Sequence, residues 1–328
     1  MTAPLTTRVL RANAEAIAEA ARILKSGGLV GFPTETVYGL GADAGNGEAV
    51  ARLYAAKGRP TFNPLIAHVE SAAGARKLAR LDAAGERLAA AFWPGPLTLV
   101  LPKTATCPVA SLATAGFDSI AVRVPEHPVA QSILRGFDGA LVAPSANRSG
   151  HVSPTTAEHV LADLSGRIDL IVDGGETPVG IESTIVACLD TPALLRPGAV
   201  PRADIERVLQ FKLRELPDAG AAGNAPRAPG MLKSHYAPRT PLRLDAGRVE
   251  PGEALLAFGP VLAAGAERAA NVLNLSARGD LVQAAANLFL YLRALDLAGA
   301  NAIAAMPIPD GGLGEAINDR LRRAAAPR

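Results

Sequence analysis

Lys57 and Arg59 stand one glycine apart, and Pro60 and Pro64 stiffen the residues that follow, with Asn63 between them. A mobile point charge beside a rigid fork of donors is what recognition of several phosphates uses. Cations at a helix C-terminus can also serve only the helix dipole. The prolines and Asn63 favour the phosphate site. A second set, Pro144–Ser145–Ala146–Asn147–Arg148–Ser149–Gly150, follows an apolar run, and its small hydroxyl and amide groups suit phosphate, ribose or carboxylate. Ser183–Thr184 follow Gly180–Ile181–Glu182, and Arg196–Pro197–Gly198 puts a fork donor on a rigid turn. The run Pro33–Thr34–Glu35–Thr36–Val37–Tyr38–Gly39 leaves a short apolar segment. There Thr34 and Thr36 could hold a polar substrate, and Glu35 could face an ammonium or fix a loop. A capped turn that satisfies its own backbone explains those residues equally well. What raises the functional reading is the shared placement of all these groups at strand boundaries, where ligands of open α/β sheets collect.

Several chemistries are excluded. The chain has no G-x-x-x-x-G-K-[ST] loop, and Ala44 stands where a dinucleotide fingerprint after Gly39–Leu40–Gly41 wants its third glycine. H-E-x-x-H, C-x-x-C and G-x-S-x-G are also missing. His68 and His159 read as ordinary, partly exposed residues. Cys107 and Cys188 are the only cysteines, which fits a reducing compartment. A formal net charge of +2 gives no global pull toward a polyanion, and 4% aromatic residues leave little for base stacking. No window has the length and apolarity of a membrane span, and the start of the chain lacks a signal-peptide core. The expected location is the cytosol, with no membrane partner.

The elements that must position these groups follow from periodicity. Asn13 is placed to cap a helix through Ile17, Ala21 and Leu24, closed by Gly27–Gly28. Strands are predicted at Leu29–Phe32, Leu65–Val69, Leu97–Leu101, Ile120–Val124, Leu141–Ala143, Leu170–Val172 and Thr184–Ala187. Helices are predicted at Glu48–Lys57, Ala72–Ala79, Glu86–Phe92, Pro128–Leu134, Thr156–Leu164 and Ala203–Leu209. This is an α/β fold with a mixed or mostly parallel sheet and flanking helices, over residues 1–210. Residues 211–241 read as a Pro- and Gly-rich linker, yet a passive spacer has no need of the cluster Pro229–Gly230–Met231 and His235–Tyr236. Residues 242–328 offer strands Ala254–Phe258, Asn271–Leu275 and Ala302–Pro307 with helices Leu281–Leu297 and Leu313–Ala325, a small Rossmann-like α/β unit. Its Gly311–Gly312–Leu313–Gly314 run reads as a strand-to-helix turn.

The stretches FPTETVYGLG, KGRPTFNPL, FWPGPLTLVL, VRVPEHP, PSANRSG, ESTIV and LRPG, in this order, resemble the YrdC-like domain of threonylcarbamoyl-AMP synthases. PGMLKSHYAP and the unit after it resemble the long, two-domain (Sua-type) form. The resemblance implies a twisted mixed-sheet domain followed by the smaller α/β domain. It implies an enzyme that joins L-threonine, bicarbonate or CO₂, and ATP into threonylcarbamoyl-AMP and pyrophosphate, toward threonylcarbamoyladenosine at tRNA position 37. Mg²⁺ is expected through the ATP phosphates, with no side-chain metal ligand. The resemblance makes Lys57 and Arg59 catalytic triphosphate contacts. It puts Asn63, Ser145, Asn147, Arg196, His235 and Tyr236 on the ATP side, and Thr34, Thr36, Tyr38, Arg59 and Ser183 on the threonine side. The linker becomes a lid over the pocket. Hand-off to the tRNA threonylcarbamoyl transferase and weak double-stranded RNA binding are further implications. Cys188 stands where the family pattern suggests a polar residue. The hydrogenase maturation factors that carry a similar module also carry acylphosphatase and zinc-finger-like segments, absent here.

Overall fold

A computed structural model describes residues 5–214 and 235–327. Local sequence starts most helices in the way caps predict. Asn13 accepts from Ala16 N at 2.8 Å to open Ala14–Lys25. Asn46 opens Gly47–Lys57, Ser71 opens Ala72–Leu78 and Asp82 opens Ala83–Phe92, each accepting a first-turn N–H. Gly58 ends the second of these at φ +60°, a left-handed turn that glycine makes without penalty. That reversal sends the chain from Lys57 into Arg59.

The first unit is built on a ten-stranded mixed sheet. Its order is Arg8–Arg11, Leu170–Asp173, Val30–Pro33, Tyr38–Asp43, Leu141–Val142, Ile66–His68, Ser119–Arg123, Leu97–Pro102, Thr184–Ala187 and Ala193–Arg196. The mixed character is real. Leu97–Pro102 runs antiparallel to Ser119–Arg123 and parallel to Thr184–Ala187. Four strands have no counterpart in the periodicity reading: Arg8–Arg11, Tyr38–Asp43, Ala193–Arg196 and Leu242–Arg243. Arg8–Arg11 is a mostly exposed edge strand, so burial imposes no alternation on it. Tyr38–Asp43 carries Gly39 and Gly41, which a propensity reading assigns to a loop. In the fold it returns antiparallel on Val30–Pro33, so Thr34–Val37 is the turn of a hairpin.

The second unit has an all-parallel sheet in the order Leu242–Arg243, Ala302–Ala305, Glu253–Ala257 and Val272–Asn274. Side chains alternate across it. Ala254, Leu256, Ile303 and Ala305 pack on helices Leu281–Asp296 and Gly314–Ala325, whereas Leu255, Ala257 and Ala304 face Ala246, Val249 and Ala263. The helix-side core does not stop at the unit's edge. Val37, Val152, Ile181 and Tyr236 belong to it. Gly180 approaches so closely that a Cβ there would lie 2.4 Å from Ala286 O. Of the segment read as a linker, Leu213 is buried in the first core and Arg214 bridges to Ala193, residues 215–234 lie outside the described residues, and His235–Pro238 are buried. Among the described residues, no helix is long and apolar enough to cross a membrane.

Candidate active site at the seam of the two units

The hairpin turn is a directed chain of hydrogen bonds. Arg123 Nη1 donates to Thr36 Oγ1 at 3.0 Å, and Thr36 and Thr34 hydroxyls lie 2.8 Å apart. Thr34 Oγ1 donates its proton to Val37 O at 2.7 Å, so Thr36 must be the donor between the two threonines. Glu35 accepts from Arg123 Nη2 at 2.6 Å and from Glu126 N at 3.1 Å. Burial pushes the Glu35 carboxyl up, but the charge and hydrogen bond of Arg123 outweigh it and hold the group below its ordinary value. Of its two sequence readings, Glu35 takes the loop-fixing one.

Lys57 projects from the last helical turn into the Pro144–Gly150 loop. Its Nζ donates to Ser145 O and Asn147 O, both at 2.5 Å, and reaches Asn147 Oδ1 at 3.4 Å. Ser145 Oγ donates to Asn147 Oδ1, and Asn147 Nδ2 donates to His151 O. Arg59 donates Nε to Asn63 O and Nη2 to Pro64 O. Both cations are buried, and among the described residues neither makes an ion pair. They are held by neutral carbonyls, which fix position without cancelling charge. The consequence is a raised cost of protonation: burial, then the charge of Arg59, holds the Lys57 ammonium well below its usual value, and burial brings Arg59 down to about 10. Both amide atoms of Asn63 are buried without a partner among the described residues.

Across from these, Ser183 Oγ is 2.8 Å from Thr98 Oγ1, and Arg196 gives Nη2 to Ser183 O at 2.8 Å and to Ser183 Oγ at 3.2 Å. His235 and Tyr236 close the remaining side, with ring centroids 4.1 Å apart. His235 N donates to Arg323 O, and Ala237 N donates to Gly150 O. Tyr236 adopts φ +62° and stacks on Phe289. His235 Nδ1 and Tyr236 Oη are buried without a partner among the described residues. Burial, then the charges of Arg59, Lys57, Arg196 and Arg320, keeps His235 neutral.

Thr36, Arg59, Ser145, Ser183, Arg196, His235 and Tyr236 thus share the wall of one cavity. Its volume is about 40 Å³, room for a few water molecules and far below the several hundred cubic ångströms of a ligand pocket. Lys57, Asn63, Asn147 and Thr34 stand behind the wall. Tyr38 is not on it either: its ring is in the core and its hydroxyl donates to Gly175 O at 2.7 Å. Burial pushes that phenol up. A roomier cavity of about 370 Å³ lies between helices Ala157–Leu164 and Leu281–Asp296. It gathers none of the predicted side chains, although Ala237, next to Tyr236, lines it. Its Arg293 pairs with Asp163 at 2.9 Å, and Arg239 and Asp296 also line it.

Comparison with known proteins decides the family. Residues 22–198 match the family model described as "Telomere recombination", and residues 200–326 match that described as "Threonylcarbamoyl-AMP synthase, C-terminal domain". The threonylcarbamoyl-AMP synthase of Pyrococcus abyssi is 42% identical over 324 residues, covering 94% of each chain. That of Bacillus subtilis is 40% identical, covering 98% of this chain and 96% of its own. The chain belongs to the threonylcarbamoyl-AMP synthase family. Sua5 of P. abyssi, solved in complex with L-threonine, superposes with a TM-score of 0.88 at 38% identity over 97% of both chains. The two-unit α/β architecture is therefore that of the family.

Three further residues stand on the cavity wall that residue types alone did not single out: His68, Arg123 and Glu182. His68 is not partly exposed, as its isolation suggested, but 2% exposed. Burial, then the charge of Arg123, brings it down to about 3, so its Nδ1 donates to Ile66 O and Nε2 is left as an acceptor. A polar residue at the C-terminal end of an otherwise apolar strand is the signal that was present for both His68 and Arg123.

Proposed function

We propose that the chain catalyses formation of L-threonylcarbamoyl-adenylate and pyrophosphate from L-threonine, bicarbonate or CO₂, and ATP. The product would serve the threonylcarbamoyladenosine modification of tRNA position 37, in the cytosol, by hand-off to a transferase. The observation that carries this reading is the composition of a single wall. Arg59 and Arg196 offer fixed cationic forks for phosphate, next to the hydroxyls of Thr36 and Ser183, which suit a small hydroxy amino acid.

In this reading the threonine amine attacks CO₂ to give a carbamate, losing one proton. A carbamate oxygen then attacks the α-phosphorus of ATP, and the bond to the β-phosphate oxygen breaks to release pyrophosphate. The protein's work is placement of two substrates and stabilisation of charge on the departing group. Arg59 and Arg196 face that charge. Lys57 acts from behind by fixing Ser145 and Asn147, whose loop borders the same space. Among the described residues, no group of three or more His, Cys, Asp or Glu could hold a metal, and Glu182 is bonded to Ser153 and Arg320. A Mg²⁺ ion would be carried by ATP phosphates, where it supplies charge neutralisation.

A cavity of about 40 Å³ cannot take ATP with threonine, so this reading has His235 and Tyr236 move outward on entry and cover the labile carbamate and adenylate from that displaced position. Incubation with ATP, Mg²⁺, bicarbonate and labelled threonine should release pyrophosphate in proportion to threonylcarbamoyl-adenylate. Pyrophosphate release that does not depend on threonine would overturn the reading. Tyr236→Ala tests the lid: an unchanged product yield together with an unchanged ATP affinity would remove this segment from the mechanism.

A further inference from the structure

Arg320 is the bulkiest of the fully buried side chains in the described structure, yet it belongs to the second unit, on helix Gly314–Ala325. Its guanidinium reaches across the seam. Nε donates to Glu182 Oε2 at 3.0 Å, and Nη1 donates to Pro197 O at 2.6 Å and to Asp319 Oδ2 at 2.9 Å. Its carbon lies 5.4 Å from the centroid of the Tyr236 ring, within cation–π range. Each of the partners from outside the helix adjoins or forms the cavity wall. Glu182 precedes Ser183, Pro197 follows Arg196, and Tyr236 is part of the closing segment. Ser153 donates to the other oxygen of Glu182, so that carboxylate is gripped from both units.

We infer that Arg320 is a positioning residue for the substrate cavity: through one planar fork it sets the register of Ser183, Arg196 and Tyr236, so the second unit completes the site. The inference rests on the adenylate-synthesis reading above. Geometry separates this role from simple docking of the two units. Docking is also served on the same helix by Glu315, whose carboxylate takes Arg202 Nη2 at 2.6 Å in a partly exposed pair away from the cavity. A lysine at position 320 would keep one positive charge but has no fork, and it cannot serve Glu182 and Pro197 in one plane.

The test compares full-length wild type, Arg320→Lys, Arg320→Met and Glu315→Gln. Thermal melts establish folding, and threonine-dependent pyrophosphate release gives kcat and KM for threonine and ATP. We expect Arg320→Lys to melt cooperatively and to lose at least tenfold in kcat/KM for both substrates, with most of the loss in KM. Arg320→Met should lose more, and Glu315→Gln should stay within twofold of wild type even if its melting temperature falls. The inference is overturned if folded Arg320→Lys keeps kcat/KM within twofold of wild type, or if Glu315→Gln loses as much as Arg320→Lys. It is also overturned if neither Arg320 variant folds at saturating ATP and threonine, because the residue then serves folding. An inactive wild type would instead remove the adenylate-synthesis reading and this inference with it.

Discussion

Replacing Arg123 by Met tests the electrostatic account of the hairpin turn most directly. In the native chain Arg123 and Glu35 meet at 2.6 Å, and their side chains are 5% and 7% exposed. Removing the cation leaves Glu35 buried with Glu126 N as its remaining partner from outside its own residue. Breaking a buried pair in this way costs about 3–5 kcal/mol. For one cooperative transition of 328 residues, an unfolding entropy of about 2.1 cal/mol/K per residue amounts to about 0.7 kcal/mol/K, so the melting temperature should fall by about 4–7 °C. The sign of the pH dependence is fixed. In wild type the folded Glu35 value lies below the unfolded one, so its contribution is present above the unfolded value of about 4.3 and is lost as pH falls through the folded value. In the variant, burial without Arg123 raises the folded value above the unfolded one, so the penalty is complete only above that raised value. The gap between the two proteins should be widest near pH 7.5 and should narrow toward pH 4. Calorimetric melts at both pH values measure it, and Glu35→Gln/Arg123→Met should recover most of the loss at pH 7.5. A gap that stays the same at both pH values, or a double variant no more stable than the single one, would refute the reasoning.

Other outcomes are as specific. Lys57→Met strands the carbonyl of Asn147, whereas Ser145 O keeps Asn147 N at 3.0 Å, so the cost in a urea titration is that of one unsatisfied group, about 1–3 kcal/mol; it should also weaken ATP binding by calorimetry, and unchanged affinity would separate Lys57 from the nucleotide. Ser183→Ala removes a hydroxyl from the wall and should raise KM for threonine roughly 5–30-fold, as a lost hydrogen bond of about 1–2 kcal/mol dictates, while KM for ATP shifts less than twofold; equal shifts would contradict its assignment. His68 and His235 are buried neutral, with folded values below the unfolded one of about 6.5, so stability present above that value is lost as pH falls. Between pH 7 and 5.5 each contributes about 1.2 kcal/mol to the loss. His235→Gln should shrink that loss by one such share, and urea midpoints that move identically in wild type and variant would count against it.

Much of this was legible before the fold. Capped helices and buried apolar strands announce themselves locally: Asn13 accepts from a first-turn N–H as its place predicts, and Thr184–Ala187 is a strand of four apolar or branched residues, whereas the Asp82 cap starts its helix at Ala83, ahead of the Glu86 that periodicity gives. The segments that escaped have weak local signals for physical reasons. Arg8–Arg11 is an edge strand with little burial, and Tyr38–Asp43 contains two glycines whose lack of side chains lets Phe32 and Ala143 pack close. The site was legible as a set of residue types but not as a layering. Nothing in Thr34–Tyr38 says that Tyr38 turns inward while Thr36 faces the cavity; only the hairpin register decides that. Arg320 is the extreme case. It is one arginine in an amphipathic helix rich in charge, and its contact with Glu182 joins residues 138 positions apart.

The buried cations divide according to what holds them. Arg123 and Arg320 are matched by carboxylates, Glu35 and Glu182 with Asp319, and a matched guanidinium has little charge left to offer. Such groups shape walls. Lys57 and Arg59 are held by the carbonyls of Ser145, Asn147, Asn63 and Pro64 instead. Carbonyl dipoles fix direction and offset part of the desolvation cost, but they supply no opposite charge, and burial lowers the proton affinity of both groups. An unneutralised pair of cations in a low-dielectric seam opposes folding of the ligand-free protein, a cost that the polyanion of the proposed ATP site would offset. The neutral imidazole of His235, set among those same cations, fits this state, since a second proton there would add to the repulsion. The acceptor type therefore separates cations that lack an opposite charge, Lys57 and Arg59, from ion-paired ones, Arg123 and Arg320, in and behind the wall of one cavity. It also explains why the sequence signal was strongest at Lys57–Gly58–Arg59, a loop with no acidic residue near enough in sequence to cancel it.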